Sequence, residues 1–114
     1  MAIGNKTTSD LAKSVLLKLG VIRAEGTPKS VDAEFVKNTY SLKFLELEND
    51  GLVYWEEALI PDLVFLSLVK IMSFECGPEF GIERDEGLLT DGIDSLRRIQ
   101  TRKTTDEPVG IQNF

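Results

Sequence analysis

Pro61-Asp-Leu-Val-Phe-Leu-Ser-Leu-Val-Lys-Ile-Met-Ser-Phe74 is the stretch on which the fold turns. A proline fits the first turn of a helix, where no backbone donor is needed, and the residues after it are apolar nearly all round a helical wheel. Leu63, Val64, Phe65, Leu66, Leu68, Val69, Ile71, Met72 and Phe74 leave one narrow stripe, Asp62, Ser67, Lys70 and Ser73, to reach solvent or a partner. A helix of that kind belongs at the centre of a helical domain. The polar interruptions, and a length well short of the ~20 residues that cross a bilayer, argue against a membrane span. Gly77-Pro78 ends the helix, and Cys76 just before it reads as a small buried hydrophobe.

Upstream, the period is again helical. Ser9 is placed to cap a first helix carrying Leu11, Val15, Leu16 and Leu19 on one face, and Gly20 is a left-handed stop. Val21 to Lys29, with Gly26 and Pro28, reads as a loop, and Ser30 as the cap of a long second helix ending near Asp50-Gly51. At about 100° per residue, Ala33, Val36, Tyr40, Phe44 and Leu47 fall on one side of that helix. Val31, Phe35, Leu42 and Leu45 fall on the other. Two apolar faces admit two readings. In the first and simpler one, the helix is sandwiched between helices of its own subunit; in the second, the outer face meets a neighbouring copy. The following Leu52 to Ala58 is a brief extended segment or a loop. Its Tyr54 and Trp55 are either interface anchors or core side chains tucked under that loop.

Downstream of a loop at Gly81, a fourth helix is expected from about Asp85 to Thr101, with Leu88, Leu89, Ile93, Leu96 and Ile99 on one face. Gly87 and Gly92 weaken it locally. Arg97, Arg98, Arg102 and Lys103 gather at its end, where cations stabilise the helix dipole. Beyond it Pro108 lacks a backbone donor and Gly110 is conformationally loose, so Glu107 to Phe114 reads as an extended tail. Its apolar side chains suit it to docking, with Pro108, Val109, Ile111 and Phe114 as the docking residues. The expectation is an all-α, small four-helix bundle over residues 1–102, with a C-terminal docking tail at 103–114.

Composition narrows the function. At 114 residues the chain is one domain that buries about two thirds of its unfolded surface, and 42% apolar with 28% charged residues is a globular balance. Thirteen basic against nineteen acidic residues give a formal charge of −6, the wrong sign for neutralising phosphates. There is no histidine, which removes the commonest general base and the commonest transition-metal ligand. One cysteine forms no intrachain disulfide, and Met-Ala-Ile-Gly-Asn-Lys has no secretory apolar core, so a reducing cytoplasm is the simplest home. Gly77-Pro-Glu-Phe-Gly81 lacks the lysine of a phosphate-binding loop. Glu56-Glu57 and Asp85-Glu86 are adjacent acids that point apart, and Asp91-x-x-Asp94 offers far fewer oxygens than calcium takes. No catalytic residue, metal or cofactor is expected. A helix-turn-helix reader fails on a connector, Gly20 to Lys29, that is too long, and on the acidic start of the second helix.

The order of these features resembles the head-to-tail connector or adaptor proteins of tailed bacteriophages, the small helical kind related to podovirus tail accessory factors. Asp10-Leu-Ala-Lys-Ser-Val-Leu-Leu-Lys-Leu-Gly-Val-Ile22 is similar to that family's first helix and its Leu-Gly-Val ending. Glu25-Gly-Thr-Pro-Lys-Ser-Val-Asp-Ala-Glu34 resembles its loop and acidic helix start. Leu47-Glu-Asn-Asp-Gly-Leu-Val-Tyr-Trp55 resembles its turn and aromatic segment, and the tail resembles its proline-containing end closing on an aromatic residue. The resemblance implies a non-enzymatic virion protein at the head-tail interface, assembled in the host cytoplasm. Copies would form a ring, dodecameric in the family's manner, beneath the portal protein. That ring would extend the DNA channel without binding DNA specifically and hold the tail or neck proteins. Phe35, Leu42, Leu45, Tyr54 and Trp55 are the candidate inter-subunit residues, and Pro108, Val109, Ile111 and Phe114 would dock on the portal or a neighbour. A different class, a small cytoplasmic helical interaction module or regulator, fits the same composition.

Overall fold

The structure is a computed structural model and describes residues 4–106. Four α-helices carry the fold: α1 (Thr8–Lys18), α2 (Ser30–Asn49), α3 (Asp62–Cys76) and α4 (Glu86–Asp106). Two short strands, β1 (Asn5–Lys6) and β2 (Ile60–Pro61), pair antiparallel and join the start of α1 to the start of α3. The Cα atoms span 52 × 30 × 20 Å. The four-helix expectation holds; the β1–β2 bridge, two residues a side, is too short to leave a period in the sequence.

Helix α1 starts one residue before Ser9. Thr7, in extended backbone, is the cap: its Oγ1 accepts from the Asp10 N–H at 3.1 Å, and Asp10 Oδ2 accepts from the Thr7 N–H at 3.0 Å. This reciprocal pair satisfies two of the free donors at the helix start. The Thr7 backbone bond is the largest influence holding the Asp10 carboxyl below its usual value. The other end is as expected. Gly20 has φ +78, and Val21 N–H reaches back to the Leu16 carbonyl at 2.9 Å, a left-handed closure that side chains resist. Gly51 closes α2 in the same way. Ser30 is not a cap: it lies within the first turn of α2, and Lys29 holds the cap position with no side-chain bond.

Helix α3 is central, with Val64, Leu68, Ile71, Met72 and Cys76 fully buried. It lies between α2 and α4, which share no packing comparable to what each makes with α3. The expected polar stripe is corrected. Ser67 and Ser73 are buried, whereas Leu63 and Leu66 are 51% and 71% exposed. The side of α3 that faces α4 is the one bearing a small residue, because α4 approaches there through Gly92. A Cβ on Gly92 would stand 2.5 Å from Ile71 Cγ1 and 2.9 Å from the Ser67 carbonyl oxygen. Gly92 is thus a contact point of the helix pair as well as a weak helix former. Leu96 and Ile99 bury the same face farther along, and α4 runs on past Thr101 to Asp106. It thereby takes in the first part of the segment expected to be tail. The docking residues Pro108, Val109, Ile111 and Phe114 lie outside the described residues.

The loop between α2 and α3 is fastened to α2. Tyr40 Oη donates to the Glu57 carbonyl at 2.9 Å and accepts from Trp55 Nε1–H at 3.3 Å, and Ser41 Oγ donates to the Glu57 carboxylate. Burial pushes the Tyr40 phenol up from 10.0 to about 12, and the Cys76 thiol up from 9.0 to about 11.

Two outcomes follow from this packing. Gly92→Ala is expected to destabilise by about 1–3 kcal/mol in urea denaturation, overpacking outweighing its better helix propensity. Gly87→Ala, exposed in the first turn of the same helix where an added Cβ would meet only the Asp85 carboxylate at 3.1 Å, is expected to stay within about 1 kcal/mol of the parent. Stability should also fall as pH rises from 9.0 towards about 12, because the unfolded chain releases the Cys76 and Tyr40 protons at lower pH than the folded chain. Both contributions are intact below pH 9.0, and urea denaturation of Tyr40→Phe across the same range should show a shallower decline.

Candidate assembly surface

The outer face of α2 carries the largest apolar exposure of that helix. The turn that buries Val36, Tyr40, Phe44 and Leu47 against the core points Val31, Leu42 and Leu45 away from it. They are 78%, 71% and 59% exposed. Among the described residues no element covers these three side chains. Phe35 sits between the two situations. It is half-buried, edge-on to Phe80 with ring centroids 5.9 Å apart.

Trp55 is corrected from interface anchor to core. It is 8% exposed, stands edge-on to Phe44 at 6.2 Å, and its indole N–H is committed to Tyr40. Tyr54 is half-buried and edge-on to Trp55 at 5.3 Å, with burial raising its phenol. The aromatic pair thus braces the loop from inside. The residues of the sequence-based set that stand free on the surface are Leu42 and Leu45.

Acids rim the second half of this face: Glu46, Glu48 and Asp50 are exposed, while the one lysine of that half of α2, Lys43, is drawn inward. Its side chain is 10% exposed, with Nζ 3.1 Å from Glu75 and 3.2 Å from Glu46. Burial alone would lower the Lys43 ammonium, but the hydrogen bonds to Glu75 and Glu46 outweigh it and hold its pKa above the usual value. The outer face of α2 is therefore apolar in the middle and negative at its edge.

The opposite character appears on α4. Arg97, Arg98 and Arg102 are exposed around a shallow cleft with Thr101. Among the side chains described up to residue 102, none of the three forms an ion pair. A third patch escaped sequence reasoning: Leu59, Leu63 and Leu66, at 52%, 51% and 71% exposure. A helix that is apolar all round carries no mark of the side its neighbours leave open.

Two of the acids singled out in the sequence are engaged in hydrogen bonds. Glu57 accepts from Ser41, and Asp85 Oδ1 accepts from the Gly87 N–H at 2.9 Å at the start of α4. Among the described residues no three of Cys, Asp or Glu converge as a metal cage, and no helix is long and apolar enough to cross a membrane. Comparison with protein-family models, curated proteins and solved structures finds no match to this chain.

The two classes of apolar residue should separate in a stability measurement. Leu42→Ala and Leu45→Ala are expected to stay within about 0.5 kcal/mol of the parent in urea denaturation. Trp55→Ala should lose about 3–5 kcal/mol, because it empties a core site and removes one of the two hydrogen bonds of the Tyr40 hydroxyl.

Proposed function

We propose that the chain is a non-enzymatic structural subunit of a head-to-tail adaptor ring in a tailed bacteriophage. The carrying observation is the uncovered apolar face of α2, where Val31, Leu42 and Leu45 stand exposed with acids at its edge. The family resemblance of Asp10 to Ile22, Glu25 to Glu34 and Leu47 to Trp55 supplies the setting.

In this reading the protein works by binding alone. Copies close a ring beneath the portal protein, and the ring continues the DNA channel and presents a surface to tail or neck proteins. Fully burying a leucine contributes about 1.5–3 kcal/mol, whereas association of two proteins costs about 4–15 kcal/mol in lost freedom. Leu42 and Leu45 alone are therefore too weak to hold a free pair together. A portal ring that gathers copies side by side removes most of that cost, so rings form where they are needed. The excess of acidic residues keeps phosphates from sticking in the channel. Pro108, Val109, Ile111 and Phe114 add a second contact, to the portal or to a neighbouring copy.

The test is binding to purified portal rings, together with protein analysis of purified particles. The full chain should be present in particles and be retained by portal. Deleting Pro108 to Phe114 should leave the helical circular dichroism unchanged and abolish or weaken retention. Leu42→Glu/Leu45→Glu should stay folded and fail to close a ring. Absence from particles, or full retention and closure by both variants, would defeat the proposal.

A further inference from the structure

We infer that the outer face of α2 in one copy docks on the arginine edge of α4 in the next, so that the two surfaces are the two halves of one head-to-tail interface. The inference rests on the ring reading above and adds the partner surface that it lacks.

Three observations carry it. The first is charge. Glu46, Glu48 and Asp50 follow Leu42 and Leu45 along α2, with Lys43 withdrawn to Glu75, while Arg97, Arg98 and Arg102 stand exposed and form no ion pair among the side chains described up to residue 102. In a chain of formal charge −6, three arginines within six residues of one helix make a surface complementary to an acid-rimmed patch. The second is shape and polarity. Arginine brings a long aliphatic stem that lies along apolar surface and a guanidinium that forks onto carboxylates. Leu42 and Glu46 are one helical turn apart on α2, and Arg98 and Arg102 are one turn apart on α4. Stems can therefore cover Leu42 and Leu45 while the heads reach Glu46.

The third is placement. With α3 between them, α2 and α4 form separate flanks of the molecule. One copy can offer its α2 to one neighbour and its α4 to another, as a heterologous interface requires. A two-fold pairing of α2 with α2 would cover the leucines equally well, but it would bring one acidic rim against another. The charge pattern selects the head-to-tail arrangement.

The experiment uses full-length chains carrying Leu42→Cys or Arg98→Cys, mixed with and without portal rings and joined by a short bis-maleimide. Native Cys76 is fully buried and does not compete for the reagent. The expected product is the Leu42→Cys to Arg98→Cys cross-link, with no Leu42→Cys self-link. Adding Arg97→Glu/Arg102→Glu to the Arg98→Cys chain should lower its yield about tenfold, and Glu46→Arg in the other chain should restore it. A dominant Leu42→Cys self-link, or no cross-link in rings assembled on portal, overturns the inference. So does an unchanged cross-link in the Arg97→Glu/Arg102→Glu chain when that chain has lost binding to duplex DNA, which would assign the arginines to phosphates. Cross-linking without any retention by portal would sink the adaptor reading and leave this interface standing. Retention by portal without the cross-link would do the reverse.

Discussion

The contact on which the rest of the structure depends is the approach of α4 to α3 at Gly92. A helix as apolar as α3 has to be covered on most of its circumference, and a chain of this length has few helices to do it. Gly92 lets the α4 backbone lie against the Ser67 carbonyl and the Ile71 side chain. The close crossing goes with the burial of Leu96 and Ile99 farther along α4. Small residues on both sides of the crossing trade side-chain area for proximity, and the stronger dispersion attraction between backbones at short range offsets the loss.

Covering α3 in this way has a consequence for α2. The helix commits Val36, Tyr40, Phe44 and Leu47 to the shared core, and among the described residues Phe80 meets Phe35 on its other side while Val31, Leu42 and Leu45 stay exposed. The uncovered leucines of α2 and α3 are thus a product of the same shortage of material. On α2 the bare face is also firmly held from beneath. Tyr40 binds the Glu57 carbonyl and the Trp55 indole, and Lys43 joins Glu75 of α3 to Glu46. A surface pinned in this manner loses little freedom on docking, which is where much of the cost of association lies.

Much of this architecture was legible in the residues. The wheel of Leu63 to Phe74 placed α3 at the centre, Gly20 and Gly51 marked helix ends through the left-handed backbone they alone adopt cheaply, and α2 showed both apolar faces. What stayed hidden depends on neighbours distant in sequence. Gly92 looks like a defect in a helix until the Ser67 carbonyl is beside it. Trp55 looks like an anchor for a partner until the Tyr40 hydroxyl takes its N–H. Thr7 and Ser9 are both able to cap α1, and the choice falls to Thr7 because Asp10 stands three residues on and returns the bond. The arginines of α4 read as ordinary dipole complements, and only the structure shows that they form no ion pair among the side chains described up to residue 102.

An assembly surface of this kind faces two opposed demands. It needs apolar area to bind, yet a bare apolar face pairs with any similar face it meets, including its own image on another copy. The acids around Leu42 and Leu45 address the second demand. Bringing two such rims together stacks like charges, while the withdrawal of Lys43 towards Glu75 leaves little positive charge near the leucines to relieve the repulsion. The same acids attract a surface that is basic, and a basic surface built of arginine stems still covers leucine. Affinity comes from the leucines and choice of partner from the carboxylates. The sign of the rim therefore carries as much of the recognition as the apolar centre does.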